Sequence, residues 1–264
     1  MKKTKYNVDI NFFKNPINWE QKHAYFLGWL TSDGSNQKNG AVRIALQEKD
    51  KKILEILKNQ IQYNGPLYYM KRNGVNSLIG NSKWQNRWSL TIGRREMSND
   101  LLDLGIDNNK SNNLKFPDFL KNDLISHYLR SYYEGDGTIS YSFDRSRGQN
   151  RLMFEIHLVG TVPFLNKVNE ILKTKINVEC RTIDDGKMQN GNRILKFSGN
   201  YAALKFFNYI YNDAEFLLKR KFRKFIRLIN YMKRIKHEEF KEEKEIEIKK
   251  AIILAKWLVK NAQY

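Results

Sequence analysis

Cysteine is nearly absent from this 264-residue chain, which holds only Cys180, together with four prolines and four histidines. A single thiol permits no internal disulfide and rules out Cys-rich zinc modules. It also leads us to expect a reducing, intracellular setting, a bacterial cytoplasm or an organelle. No apolar run approaches the roughly 20 residues that a membrane-spanning helix needs. The opening stretch MKKTKYNVDINFF lacks the apolar segment and small-residue cleavage site of a secretory signal, so no membrane partner is expected. Acids are scarce relative to bases: 28 Asp and Glu against 47 Lys and Arg leave a formal charge of +19. A charge of that size on a folded chain argues for a polyanionic partner, with nucleic acid ahead of an acidic membrane surface.

What is present twice is a stretch of nine residues. Phe26 to Gly34 (FLGWLTSDG) and Leu129 to Gly137 (LRSYYEGDG) each run from aromatic, aliphatic and small residues into an acid followed by glycine. Read as helices, both place a carboxylate, Asp33 or Asp136, at the C-terminal end, where the helix dipole disfavours an anion and a positive charge must compensate. A metal ion would do so. Gly28 and Ser131 are small enough to let the two helices pack side by side, bringing both acids to one point. A lone Asp-Gly after an apolar helix is more often a turn. Two copies, each followed by an equivalent downstream unit, are hard to attribute to chance.

Those units can be read in order. Trp19 to Leu30 reads as a helix, followed by a hairpin of Ser35 to Lys38 and Ala41 to Gln47 across Asn39-Gly40. Asp50 is expected to cap a helix through Ile53, Leu54, Leu57 and Ile61. Strands near Pro66 to Arg72 and Arg87 to Ile92 come next, then a short helix from Ser98 or Asn99 to Leu104. The order recurs as a helix over Leu124 to Glu134, strands Thr138 to Asp144 and Arg151 to Val159, and a helix over Val162 to Lys173. Strands Asn177 to Asp184 and Arg193 to Ser198, across Asp185-Gly186, and a helix over Tyr201 to Tyr211 complete it. Asn109-Lys110-Ser111 echoes Arg220-Lys221-Phe222. The expected division is an N-terminal arm (1–19), a first repeat (20–115), a second repeat (116–231) and a C-terminal helical extension (232–264). The extension carries an apolar stripe at Ile246, Ile253, Leu254, Trp257 and Leu258.

Two such helices, each opening an αββαββα unit, resemble the LAGLIDADG homing endonucleases in the form that carries both motifs in one polypeptide. The resemblance spans residues 20 to 230 and includes the order of elements. It implies an α+β fold of two pseudo-symmetric αββαββα repeats, with the motif helices packed at the centre and two antiparallel sheets forming a DNA-binding saddle. It further implies a monomer with an internal pseudo-two-fold axis that makes staggered double-strand breaks at a long, asymmetric target. By the same resemblance, Asp33 and Asp136 are the metal-binding acids and Gln47 the residue that positions solvent. Arg94, Lys110 and Lys221 correspond loosely to basic residues beside the scissile phosphates. In the second unit the place of Gln47 falls at Val159 or Gly160. Thr31 departs from the motif's usual acid at its sixth position, whereas Glu134 keeps it.

The chemistry can also be reached from the residues. Phosphodiester hydrolysis needs charge stabilisation at the attacking and leaving oxygens, and clustered carboxylates holding Mg²⁺ among oxygen ligands supply it. Mn²⁺ is the expected alternative and Ca²⁺ a non-cleaving substitute, with the carbonyls of Ser32 and Gly135 as further ligands. Strand alternation then proposes a reading face. With Leu152, Phe154, Ile156 and Leu158 turned to the core, Arg151, Met153, Glu155 and His157 face outward, and the same logic exposes Gln37, Arg43, Lys71, Arg87, Ser140, Ser142, Arg181 and Lys196. Such a mixture suits hydrogen bonding to base edges. The competing function is a non-cleaving nucleic-acid-binding relative, either an intron-splicing maturase or a DNA-binding regulator. An intein-embedded nuclease is disfavoured, because the chain neither begins with Cys or Ser nor ends in His-Asn.

Overall fold

The computed structural model describes residues 5–71, 75–76, 82–83, 85–107, 110–144, 151–184, 191–234 and 242–264. Of the positions singled out above, Arg72, Asn109, Asp185 and Gly186 lie outside them. The first repeat runs α1 (Gln21–Asp33), β1 (Gly34–Asn36), β2 (Val42–Gln47), α2 (Lys51–Gln60), β3 (Tyr68–Met70), β4 (Val75–Asn76), β5 (Ser82–Lys83), β6 (Arg87–Ile92), α3 (Arg95–Asp103) and α4 (Lys110–Asn113). The second runs α5 (Ile125–Asp136), β7 (Thr138–Asp144), β8 (Arg151–Gly160), α6 (Val162–Ile176), β9 (Arg181–Ile183), β10 (Arg193–Ser198) and α7 (Asn200–Tyr211), followed by α8 (Lys219–Arg234) and α9 (Glu242–Asn261). The strand orders are β1-β2-β6-β3 and β7-β8-β10-β9, the same antiparallel topology twice. This is the α+β duplication expected from the sequence, with one addition: β4 and β5 form a small separate hairpin.

The motif helices are the core's centre. Ala24 to Leu30 of α1 and Tyr128 to Tyr133 of α5 are buried, because each helix has the other on one side and its own repeat on the rest. Close approach comes from small residues at the crossing. A Cβ on Gly28 would collide with the Ser131 side chain and lie 2.5 Å from the Tyr128 carbonyl oxygen. A Cβ on Gly135 would collide with Ser32 and lie 2.6 Å from Oδ2 of Asp33. Within each repeat, the sheet's inner face packs on its own helices, α2 in the first and α6 and α7 in the second.

Four local expectations are corrected. The lead-in is no free arm: Phe12, Phe13 and Trp19 are core residues, and Phe12 and Trp19 stack on His23, whose Nδ1 accepts from the Glu20 N–H at the start of α1. Asp50 precedes α2 but makes no side-chain cap, because its buried carboxylate takes the Arg220 Nε–H at 2.9 and 3.0 Å from the other repeat. Ser98 does not start α3, which begins at Arg95; its hydroxyl instead donates to Oδ1 of buried Asn36, 62 positions earlier. In α9 the buried face is Ile248, Ala251, Ala255 and Leu258, against α7 and α8, while Ile246, Ile253 and Trp257 are exposed. Alanines permit the closer approach, so of the expected stripe only Leu258 is buried and Leu254 partly so, while its bulkier Ile246, Ile253 and Trp257 turn outward. Among the described residues, no helix is long and apolar enough to cross a membrane.

Candidate active site and nucleic-acid interface

Asp33 and Asp136 are the last residues of α1 and α5, so the crossing of these helices brings both to one place. Gly34 and Gly137 follow with extended backbones, φ −96° and −83°, and are glycines for want of room. A Cβ would lie 2.7 Å from the Leu30 carbonyl oxygen at the first and 2.6 Å from the Tyr133 carbonyl oxygen at the second. Both acids reach solvent, yet protein crowds them. Desolvation raises the Asp33 pKa, opposed by Lys110, a Ser32 hydrogen bond, Arg87 and Lys221. Asp136 is pushed up to about 6, by desolvation first and then by the charge of Asp33.

Each helix end also receives a buried lysine, as the tail resemblance suggests. Lys110 Nζ donates to the carbonyls of Thr31 at 2.6 Å and Ser32 at 3.2 Å. Lys221 Nζ donates to the carbonyls of Tyr133 at 3.1 Å and of Gly137. An ammonium at a helix C-terminus satisfies carbonyls that have no intrahelical partner and offsets the dipole. Burial lowers both lysines, Lys221 to about 7 with help from neighbouring Arg220 and Lys224, whereas Asp136 and Asp33 pull Lys110 back up.

The donors suit a hard divalent cation. Two desolvated carboxylates, the charge of Asp33 raising the proton affinity of Asp136, favour an intervening cation, and every candidate ligand here is an oxygen. Among the described residues no cluster of three or more His, Cys, Asp or Glu exists, so backbone carbonyls, solvent and substrate oxygens would complete the shell. The Ser32 carbonyl, already bonded to Lys110, keeps one lone pair for this; neither buried lysine engages the Gly135 carbonyl.

The sheet register then sorts the remaining candidates. Gly34 pairs with Ile44, so β2 continues three residues past the start of β1 and carries Gln47 toward the acids. Gln47 is paired with Arg87, whose charge favours ionised Asp33, and the buried Gln47 Oε1 has no hydrogen-bond partner. Arg94 is not part of this site. β6 runs outward from Arg87, placing Arg94 roughly 20 Å farther along. There it precedes α3 and donates from Nη2 to the Tyr6 carbonyl at 2.5 Å. Counted from Gly137, the place equivalent to Gln47 is Thr161 and not Val159 or Gly160, since Thr138 pairs with His157. Thr161 caps α6 and donates to the Leu114 carbonyl, and Asn192 stands where the first repeat has Arg87. The two halves therefore present unequal chemistry beside equivalent acids. This could have been counted from the sequence only with the strand register in hand.

On the outer face of the second sheet, register aligns Thr138, His157, Lys196 and Arg181 in one row across four strands, with Ser140, Glu155 and Ser198 in the next. Ser142 lies opposite Met153, and Arg151 is exposed at the outer end of β8. Glu155 is already engaged, by Lys196 at 2.8 Å, Ser198 at 2.9 Å and His157 at 3.7 Å, and the Lys196 hydrogen bond chiefly lowers its pKa. In the first sheet the rows are Ser35, Arg43 and Thr91; Ala45, Ser89 and Tyr68; and Gln47, Arg87 and Met70. Arg43 donates to the Met70 sulfur at 2.5 Å. Gln37 lies in the turn after β1, its N–H bonded to the Ala41 carbonyl. Lys71 follows β3 and by alternation falls on the side of Tyr69 and Trp88, away from this face. Ser35, Tyr68, Met70 and Thr91, which the sequence reading passed over, belong to it.

No protein-family model matches the sequence, and no curated protein matches it either. Solved structures do match. The LAGLIDADG homing endonuclease I-LtrWI bound to target DNA aligns over 96% of this chain and 99% of its own, with TM-score 0.51 and 15% identity. I-SmaMI bound to an uncleaved DNA target with calcium ions aligns over 94% and 99%, with TM-score 0.50 and 14% identity. I-SmaMI on uncleavable DNA with a TTCT central four aligns over 88% and 98%, with TM-score 0.51 and 14% identity. At these identities the likeness is one of fold, and it extends over nearly the full length of each chain.

Proposed function

We propose that this chain, built on the LAGLIDADG homing-endonuclease fold, is a site-specific, divalent-metal-dependent endonuclease that makes staggered double-strand breaks at a long, asymmetric DNA target. The observation that carries this reading is the meeting of Asp33 and Asp136 at the ends of crossed helices, each end braced by a buried lysine. The repeats 20–115 and 116–231 form the catalytic body and work as a monomer, because one chain already supplies both acids and both sheets. The solved relatives bound to DNA support duplex DNA as the partner.

Mg²⁺ bound at this pair, with Mn²⁺ as alternative and Ca²⁺ as a non-cleaving substitute, supplies charge stabilisation at the attacking and leaving oxygens. The chain's own residues do the rest. Asp33 and Asp136, with the carbonyls of Ser32 and Gly135, present the oxygen ligands. Lys110 and Lys221 hold the helix ends in place and add positive charge where phosphate negative charge must gather. Gln47, whose amide oxygen has no partner in the protein, would accept a hydrogen bond from the attacking water in the half nearest Asp33 and so orient it.

Selection of cleavable sites from a randomised duplex library in Mg²⁺ tests this reading. Wild-type protein should enrich one long, non-palindromic site, and Asp33→Asn or Asp136→Asn should abolish cutting while leaving binding in Ca²⁺ intact. Binding without cutting by the wild type would point instead to a non-cleaving relative.

A further inference from the structure

Helix α8 lies outside both sheets. Its sequence, KRKFRKFIRLINYMKR, contains no acid, and its apolar face of Phe222, Phe225, Leu228, Ile229 and Met232 is buried. The remaining face is cationic. Arg220, Lys224 and Arg227 follow helical spacing along one stripe, with exposed Arg223 beside it. The helix is fixed against β7, the edge strand of the second sheet, where Lys224 Nζ donates to the Ile139 carbonyl at 3.0 Å and Arg227 reaches the Tyr141 hydroxyl at 3.5 Å, and against the start of β8, where the Leu152 N–H donates to the Tyr231 hydroxyl at 3.0 Å. α8 thus starts at the catalytic centre, where Lys221 is seated, and runs outward along the rim of the sheet.

Charge balance along this rim is one-sided. Asp50 pairs with Arg220 across the seam, but no acid is paired with Arg223, Lys224 or Arg227 among the ion pairs of the described residues. Arg220, Arg227 and Lys49 crowd Lys224 and, after burial, lower its pKa. Cations held this close by a rigid helix repel one another unless an anion lies over them. The first repeat has no counterpart, because its equivalent helix α4 stops one turn after Lys110.

We propose that α8 is a phosphate-binding rail that grips the backbone of one DNA strand beside the second sheet. The proposal rests on the endonuclease reading above. The stripe from Arg220 to Arg227 spans about 10 Å, the axial length of about three phosphates on one strand. It contributes affinity without base preference and anchors one half-site more firmly than the other.

The test compares wild type with Lys224→Gln/Arg227→Gln, binding a 40-base-pair duplex of random sequence in Ca²⁺ at several salt concentrations. Removing two phosphate contacts should shrink the slope of log K against log salt by roughly 2. Two comparisons keep the result interpretable. Lys175→Gln/Lys205→Gln, which removes the same charge beside the opposite ends of α1 and α5, should leave the slope unchanged. Lys224→Arg/Arg227→Lys should keep the wild-type slope. An unchanged slope in the first variant overturns the proposal, as does an equal loss in the Lys175/Lys205 control or a loss in the charge-keeping pair. If the wild type does not bind the duplex at all, the endonuclease reading falls with it.

Discussion

One residue decides how the site behaves with pH, and a second how evenly the two halves act. Asp136 is held near 6 against an ordinary 3.8, by desolvation and by Asp33, so its ionised form is less favourable in the folded chain than in the unfolded one. Between about pH 4 and 6 the native state binds more protons than the unfolded state, and the stability gained by protonation is lost as pH rises through 6. Metal-free Asp136→Asn should therefore melt higher than wild type at pH 8, with the difference narrowing as pH falls through 6 and disappearing only below about pH 4. Thermal melts in a chelator over this range would show this; a constant difference would mean that Asp136 is not desolvated. Arg87 is the second residue. It stands beside Asp33 with Gln47, while Asn192 and capped Thr161 occupy the matching places next to Asp136. Arg87→Ala should slow cleavage of one strand by roughly 10²-fold, the range seen when a single charge-stabilising donor is removed. Nicked plasmid should accumulate, and equal slowing of both strands would remove the role assigned to Arg87.

At the scale of elements, much of the molecule was legible and the failures have physical causes. β7 and β10 have the expected limits, and β8 and α6 differ only at their ends, because two-fold and 3.6-fold apolar alternation fix which residues must be buried. The duplication made the meeting of Asp33 and Asp136 at two helix ends readable, since each copy corroborates the other. Arg94 was matched to a basic residue beside the scissile phosphates by resemblance alone, which does not say which end of β6 points to the axis. That depends on the pairing of Gly34 with Ile44, a tertiary fact. Asp50 looked like a helix cap by position, yet its partner Arg220 is 170 residues away. The buried face of α9 was only partly read, because hydropathy ranks Ile and Trp above Ala, whereas close helix packing rewards small side chains. The crossing of α1 and α5 follows the same rule. Gly28→Ala would push a Cβ into Ser131 and the Tyr128 carbonyl, with an expected cost of about 1–3 kcal/mol in denaturant unfolding. Ser131→Gly should recover part of that loss and no more, because the Tyr128 carbonyl is backbone.

Across the whole molecule, the same small residues explain why the duplicated halves belong in one chain. At the crossing, Gly28 faces Ser131 and Ser32 faces Gly135, so each close contact has one glycine and one serine. Two first halves joined about the same axis would oppose Ser32 to Ser32, and two second halves would oppose Ser131 to Ser131. Either match places side-chain atoms where the native contact tolerates none, whereas the mixed pairing avoids both clashes and also forms the Asp50 to Arg220 bond across the seam. Specificity here arises from steric exclusion of the wrong partner as much as from attraction to the right one. If residues 1–118 and 119–264 are produced as separate chains, they should co-purify as a one-to-one complex, and neither should form a stable dimer alone when examined by size exclusion with light scattering. Ser32→Gly in the first fragment removes its only serine from the crossing, so that variant should self-associate where the unmodified fragment does not. Self-association of the unmodified fragment to the same extent would show that the crossing residues do not select the partner.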